Sequence, residues 1–221
     1  AQGLHLHETA DPALPAVQKM PPPRGPAIIM VHGYKYQPRL RHHCPQTSIF
    51  GKRGADWPAA LGFGKGLADE GLGIAFGWQA RGPLRQMHTR AAKLGQTLSR
   101  LIKRLRTSAP ERAIHLIAHS LGSEVALSAL EHLPAGAVDR IILLTGASFA
   151  KRAGDMLRTP AGLTSEVLNI TSRENDLFDM VFERLVPAQM AGDITIGQGI
   201  EAHNVTTLQL DCLRSLAALN A

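Results

Sequence analysis

The 221-residue chain is 44% hydrophobic and 19% charged, which is typical of one globular domain with a sizeable core. No apolar run in it approaches the roughly 20 residues that a membrane-spanning helix needs. The formal net charge is +6 at pH 7. Because no nucleic-acid-binding motif accompanies this charge, we interpret it as a basic solvated surface and expect no nucleic-acid partner.

The two cysteines, Cys44 and Cys212, lie far apart and lack the spacing of a metal site. We therefore expect free thiols, which are typical of a reducing compartment and favour a cytoplasmic protein. The chain begins with Ala1 rather than Met, so this expectation leaves room for N-terminal processing.

Residues 1–26 are predicted to form an N-terminal edge segment and a tether. His5 and His7 alternate with leucines, as in a short edge strand that keeps its histidines on the surface. A run rich in proline follows and predicts the tether. Residues 27–31 then form a compact apolar strand, which ends at His32-Gly33-Tyr34.

The polar, glycine-rich stretch at residues 35–66 is predicted to be a long loop, and such loops are more often functional than filler. We expect its aromatic residues Phe50, Trp57 and Phe63 to form one wall of a pocket. The run His42-His43-Cys44 predicts no metal site, because adjacent residues do not easily converge on one ion.

A strand is predicted at residues 71–78 and a long amphipathic helix at residues 84–106. One face of this helix is apolar, and the other carries six basic residues: Arg90, Lys93, Arg100, Lys103, Arg104 and Arg106. We expect the basic face to be solvated, since the core already uses the apolar stripe. Docking of the helix on a phospholipid surface is the alternative.

Residues 114–127 carry the most informative pattern in the chain. Ile114–His119 is a continuous, mainly apolar run that suits a central parallel strand, and helical spacing begins at Leu121. Ser120 therefore stands on a sharp turn where a strand becomes a helix, beside the free N–H groups of the helix N-terminus. The alternative for Ser120 is an ordinary N-cap serine.

Strands and helices continue to alternate in the remainder of the chain. Further strands are predicted at residues 140–148, 167–171 and 204–211, and helices at residues 177–185 and at the chain end. Residues 149–163 are predicted to form a short helix and a small cap. This alternation predicts a single α/β domain over residues 1–221, with a mostly parallel central sheet of about six strands and helices on both faces.

The motif Ala118-x-Ser120-x-Gly122 resembles the G-x-S-x-G nucleophile elbow of the α/β-hydrolase family, with alanine in the first small position. The triplet His32-Gly33-Tyr34 is similar to the H-G-x that follows the third strand in that family. The resemblance implies an α/β-hydrolase fold in which Ser120 is the nucleophile and the N–H groups of Tyr34 and Leu121 form the oxyanion hole.

The resemblance also implies an acidic residue in the loop after the second strand beyond the nucleophile, and Asp176 occupies that place. Asp176 is also suited to cap the helix at residues 177–185, and one carboxylate could serve both purposes. Asp179 is the weaker candidate, because it lies one turn into the helix.

The catalytic histidine of the family follows the last strand, and this sequence has none there. Only His203 follows Asp176, and it precedes that strand. We therefore expect His203 to lie away from Ser120 and the base to lie beyond Ala221, with His203 as the in-chain alternative. The resemblance gives His32 and His119 a role in holding the loop and the elbow.

As a whole, the resemblance implies a serine hydrolase that cleaves a carboxylic ester, such as a lipid or acyl ester, through an acyl-enzyme. Such an enzyme takes a small-molecule ester substrate and needs no cofactor and no metal. The alternative is a non-catalytic α/β-hydrolase-like binding protein that lacks the base. The acyl-chain preference, the choice among ester, thioester and amide, and the oligomeric state are left open.

Overall fold

Seven parallel strands form one central sheet in the computed structural model, which describes residues 4–7, 25–51, 55–65 and 69–212. The strands are β1 (Leu4–His7), β2 (Ala27–Val31), β3 (Leu72–Gly77), β4 (Ile114–His119), β5 (Arg140–Leu144), β6 (Glu166–Thr171) and β7 (Val205–Gln209). Their order in the sheet is β1-β3-β2-β4-β5-β6-β7, and every neighbouring pair is parallel. The predicted α/β-hydrolase fold is confirmed, with one strand more than expected.

Helices connect these strands. They are α1 (Pro45–Ser48), α2 (Trp57–Ala60), α3 (Leu84–Ser108), α4 (Gly122–Ala129), α5 (Ala150–Leu157), α6 (Pro160–Thr164) and α7 (Asp176–Leu185). Short 3-10 turns lie at Leu130–His132, Arg173–Asn175 and Ile196–Gln198. In the described ranges, no helix combines the length and the apolar composition that crossing a bilayer requires.

The main core lies between one face of the sheet and helices α3 to α7. Alternate residues of the strands, such as Ile29, Ile74 and Leu116, are fully buried there. Helix α3 contributes the apolar stripe that its sequence predicts, and its Gly95 lies against α4. A Cβ on Gly95 would be 2.6 Å from the Ser128 Cβ, so the absence of a side chain lets these two helices pack closely.

The opposite face of the sheet carries a smaller core that corrects the prediction for loop 35–66. Phe50 and Trp57 pack there with Met30 and Ala75 and do not line a pocket in front of Ser120. Phe63 lies against Gly73 of β3. These rings cover the sheet because β2 and β3 present alternate side chains to this face.

The segment at residues 149–163 forms α5 and most of α6 and is not the small cap that the sequence predicts. Ala153, Leu157 and Ala161 are buried in the main core, and no residue of this segment lines the cavity in front of Ser120. The connection is a packed crossover from β5 to β6, since its apolar residues are used against the sheet.

The two ends of the chain are described only in part. Strand β1 lies at one edge of the sheet, paired with β3, as predicted. The proline-rich tether and the predicted C-terminal helix fall outside the described residues.

Candidate active site

The turn at Ser120 has the strained backbone of a nucleophile elbow. Ser120 has a φ of +50°, a left-handed conformation that is uncommon for residues other than glycine. Its N–H donates to the carbonyl of Leu144 at 3.0 Å, and its own carbonyl accepts from the N–H groups of Ser123 at 2.9 Å and Ala147 at 3.0 Å. These hydrogen bonds stabilise the left-handed conformation of Ser120, which lies just beyond the carboxyl end of β4.

Two glycines allow the loop after β2 to approach this turn. A Cβ on Gly33 would lie 2.8 Å from both the His119 carbonyl oxygen and the Ser120 Cβ. A Cβ on Gly122 would lie 2.6 Å from the His32 carbonyl oxygen. Both distances are too short for a real side chain, so glycine is required where the ends of β2 and β4 meet.

His32 fixes the same loop through hydrogen bonds to Gly33 and Trp78. The Trp78 N–H donates to its Nε2 at 3.0 Å, so Nδ1 carries the proton and donates to the Gly33 carbonyl at 2.9 Å. The Trp78 indole donates back to the His32 carbonyl at 2.9 Å. Burial lowers the pKa of His32 to about 4, which keeps the ring neutral. His32 is therefore a fixed structural element, as the resemblance implies.

A cavity of about 550 Å³ opens in front of Ser120. Its walls are mostly apolar, a common property of small-molecule sites. The lining residues are Tyr34, Lys35, Leu84, His119, Ser120, Leu121, Ala147, Asn175, Phe178, Asp179, Val181, Phe182 and Leu185. The structure thus brings together three of the four predicted site residues, namely Ser120, Tyr34 and Leu121.

The backbone N–H groups of Tyr34 and Leu121 are available to a ligand in this cavity. Within the described ranges, neither group donates a hydrogen bond to another part of the protein. Such unpaired N–H groups beside a nucleophile are suited to an oxyanion.

The fourth predicted residue, Asp176, is the first residue of α7 and is exposed. Its carboxylate makes no capping hydrogen bond, since Asn175 is the N-cap residue. One turn later, Asp179 is 9% exposed, lines the cavity and accepts from the Asn175 side-chain amide at 3.0 Å. Burial, together with the charges of Asp176 and Glu183, raises the pKa of Asp179 to about 6. The two carboxylates thus differ in exposure, although they occupy one helical turn.

His203 and His119 lie at opposite edges of the sheet. His203 is exposed and precedes β7, so it lies at the amino edge, whereas Ser120 lies at the carboxyl edge. The expectation that His203 lies away from Ser120 is confirmed. Of the histidines in the described part of the chain, only His119 lines the cavity. Its ring stands edge-on to Trp57, at a centroid distance of 6.2 Å, and no hydrogen bond joins it to Ser120.

Sequence reasoning missed a buried charge in the helix that follows Ser120. Glu124, in the first turn of α4, is 0% exposed and accepts hydrogen bonds from three groups. These are the Ser148 hydroxyl at 2.6 Å, the Arg152 Nε at 2.7 Å and the Ser128 hydroxyl at 3.1 Å. The His88 Nε2 lies 3.5 Å away. An acidic residue in a helix that is otherwise made of small and apolar residues was the available signal.

The charged state of Glu124 is stabilised by these partners. Burial acts to raise the pKa of its carboxyl group, but interaction with His88, the charge of Arg152 and the Ser148 hydroxyl together hold it below its usual value. We call Glu124, His88, Ser128, Ser148 and Arg152 the Glu124 network. No group of three or more His, Cys, Asp or Glu side chains suited to a metal ion is found within the residues that the structure describes.

Comparisons with known proteins give one family. Residues 59–151 match the family described as "Alpha/beta hydrolase of unknown function (DUF900)". Among solved structures, the chain is similar to the mature form of the Bacillus licheniformis lipase BlEst2. The sequence identity is 16% and the TM-score 0.49, over 86% of this chain and 84% of that chain. Among curated proteins, no significant match was found.

The family match extends from α2 into α5 and so includes β4, the turn at Ser120 and α4. It supports a hydrolase activity, and it agrees with the parallel sheet and the strained serine turn. Residues 59–151 of the chain are therefore similar to an α/β-hydrolase family.

Proposed function

We propose that the protein is a serine hydrolase that cleaves a carboxylic ester, such as a lipid or acyl ester, through an acyl-enzyme. The observation that carries this proposal is the joint placement of Ser120 and two unpaired backbone N–H groups at one cavity. A serine that only capped a helix would need neither the left-handed backbone nor free donors in front of it.

In the proposed reaction, the Ser120 hydroxyl oxygen attacks the ester carbonyl carbon, and an imidazole accepts the hydroxyl proton. The carbonyl oxygen becomes an oxyanion, which the N–H groups of Tyr34 and Leu121 stabilise. Collapse of the tetrahedral intermediate breaks the ester bond, and the imidazolium protonates the departing alcohol. Water then releases the acid from Ser120 by the same steps in reverse order.

Asp176 is the proposed orienting carboxylate, because it follows β6 in the order that the family resemblance implies. Asp179 fits the role less well, because a carboxyl group with a pKa of about 6 is partly protonated near neutral pH. The family resemblance places the imidazole after the last strand, and none of the described histidines follows β7.

The test is labelling with a fluorophosphonate probe, followed by identification of the modified peptide. We expect modification at Ser120 and none in Ser120→Ala. Ser123→Ala is the matched control, since Ser123 is a buried serine one turn further along the same region. Adding imidazole should speed the labelling if the proton acceptor is missing from the 221-residue chain. Labelling at another residue, or none with or without imidazole, would contradict the proposal.

The non-catalytic alternative is favoured by one observation. His119 is the histidine that lines the cavity among the described residues, and it does not hydrogen-bond to Ser120. A binding protein with this fold would bind an ester or acid in the cavity without turnover. It would be recognised by saturable binding to the cavity together with an unreactive Ser120 in the full-length protein.

A further inference from the structure

Helix α7 presents its apolar face to solvent. Leu177, Phe178, Met180, Val181 and Leu185 are each between 40% and 65% exposed, whereas only Asp179 and Phe182 of this helix are buried. A surface helix of a globular protein normally turns its apolar stripe towards the core. A contiguous exposed apolar patch of this kind marks an interaction site.

This patch is continuous with the cavity in front of Ser120. Phe178, Val181 and Leu185 line the cavity and are exposed at the same time, so they form its rim. A second protein chain seated on the patch would cover the entrance to the cavity. A lipid phase seated there would instead bring ester groups to the entrance. The position of the patch therefore favours a lipid surface as its occupant.

Three exposed basic residues line the cavity or directly adjoin a lining residue in the sequence. Lys35 is exposed and lines the cavity, Arg85 is exposed beside the lining residue Leu84, and Arg184 is exposed on α7 itself. None of these three forms an ion pair with a described residue. Glu174 and Asp176 lie at the N-terminal end of α7, whereas Glu183, near its other end, is half-buried and accepts from the Thr195 N–H at 2.8 Å. The end that carries Arg184 and Leu185 is therefore the one suited to a negatively charged surface.

We propose that the rim of the cavity, formed by the exposed face of α7 together with Lys35, Arg85 and Arg184, docks on an anionic phospholipid surface. The apolar side chains enter the interfacial region, and the basic side chains contact lipid phosphates. The choice of a lipid surface over a protein partner rests on the proposed ester hydrolase function. Docking itself requires no catalysis.

The basic face of α3 provides an internal control. Lys93, Arg100, Lys103 and Arg104 are exposed along the same helix as Arg85, but each lies at least eight residues further from the rim. At a rise of about 1.5 Å per residue, Arg100 lies roughly 22 Å from Arg85, beyond the Debye length of about 8 Å at physiological salt. Loss of charge at the rim and on the distant face should therefore have different effects.

The test is co-sedimentation of the Ser120→Ala variant with phosphatidylcholine vesicles, with and without phosphatidylglycerol. This background removes turnover, so failure to dock is distinguishable from failure of the hydrolase proposal, which the labelling at Ser120 decides. We expect binding to the phosphatidylglycerol vesicles alone. In the same background, Phe178→Ser with Leu185→Ser should weaken binding at least tenfold, since two large apolar contacts are lost. Arg85→Glu with Arg184→Glu should weaken it by about tenfold or more.

The matched control is Arg100→Glu with Lys103→Glu, which changes the net charge equally and should weaken binding less than threefold. Circular dichroism should show that every variant is folded, as expected for exposed positions. Equal losses for the rim and the distant pair would overturn the proposal in favour of non-specific attraction by net charge. Absence of vesicle binding, or a dimer in solution that the Phe178→Ser and Leu185→Ser changes dissociate, would also overturn it.

Discussion

Helix α4 directly follows Ser120, whereas α7 lines the cavity, and the two helices differ in burial. All eight residues of α4 are buried, and its first turn carries the fully paired Glu124. In α7, two of the ten residues are buried, and its apolar side chains face solvent. Helix α4, which follows Ser120, is thus a packed part of the core, whereas α7, which lines the cavity, is a surface helix.

An aromatic contact links α7 to the Glu124 network. The Phe182 ring of α7 lies 5.1 Å from Phe149 and 5.6 Å from His88, measured between ring centroids. His88 in turn lies beside Glu124. Ser120 is thus positioned beside a fully buried helix, whereas the proposed carboxylate is carried by a helix that is mostly exposed. Substitutions in the two helices should therefore separate stability from rate.

The largest effect is expected on kcat, from a substitution in α7. Asp176→Asn should lower kcat by about four orders of magnitude, because the imidazole loses the charge that orients it. The free energy of unfolding should change by about 1 kcal/mol or less, since Asp176 is exposed. Steady-state hydrolysis of a p-nitrophenyl ester by the full-length protein measures the rate. Asp179→Asn is the matched control, and a larger rate loss there would transfer the role to Asp179.

The next largest effect is expected on the free energy of unfolding, from a substitution in α4. Glu124→Ala should lower the free energy of unfolding by about 3–5 kcal/mol, because it leaves the Arg152 charge without its buried partner. Guanidinium denaturation with an unchanged m-value measures this loss. Glu131→Ala, at an exposed position shortly after α4, should change stability by about 0.5 kcal/mol or less. Similar small changes for both variants would show that the Glu124 network is not a structural anchor.

The smallest effect is a pH dependence on the α7 side. The folded protein raises the pKa of Asp179 from 3.8 to about 6, so the folded state binds more protons than the unfolded state between these values. The free energy of unfolding should therefore fall as pH rises from about 4 to about 7 through this group. Asp179→Asn should remove this fall and add up to about 3 kcal/mol at pH 8. Denaturation curves across this pH range provide the measurement, and an unchanged pH profile would contradict the assignment.

Much of the fold could be predicted from the sequence because it rests on local patterns. The buried strands read as short apolar runs, and α3 reads as one helical stripe from Leu84 onwards. The turn at Ser120 was also predicted, since the change from strand to helical spacing occurs at that residue. The hydrogen bond from the Ser120 N–H to the Leu144 carbonyl agrees with this turn, and it forms because β4 and β5 are parallel neighbours in the sheet.

Other features depend on contacts between distant segments and could not be predicted. Nothing local to Glu124 shows that Ser148 and Arg152 will reach it from the next crossover. The placement of residues 149–163 in the core was missed for the same reason, because a short helix pattern does not say what it packs against. The exposed apolar face of α7 could not be recognised either, since its sequence has the same periodicity as a helix that buries that face.

The central claim, that Ser120 forms an acyl-enzyme, is tested most directly by mass spectrometry after brief exposure to a p-nitrophenyl ester. The account predicts an acyl adduct on the peptide that contains Ser120, accompanied by a burst of p-nitrophenol, and neither in Ser120→Ala. An adduct that persists in Ser120→Ala, or ester hydrolysis that this variant retains at the original rate, would contradict the claim.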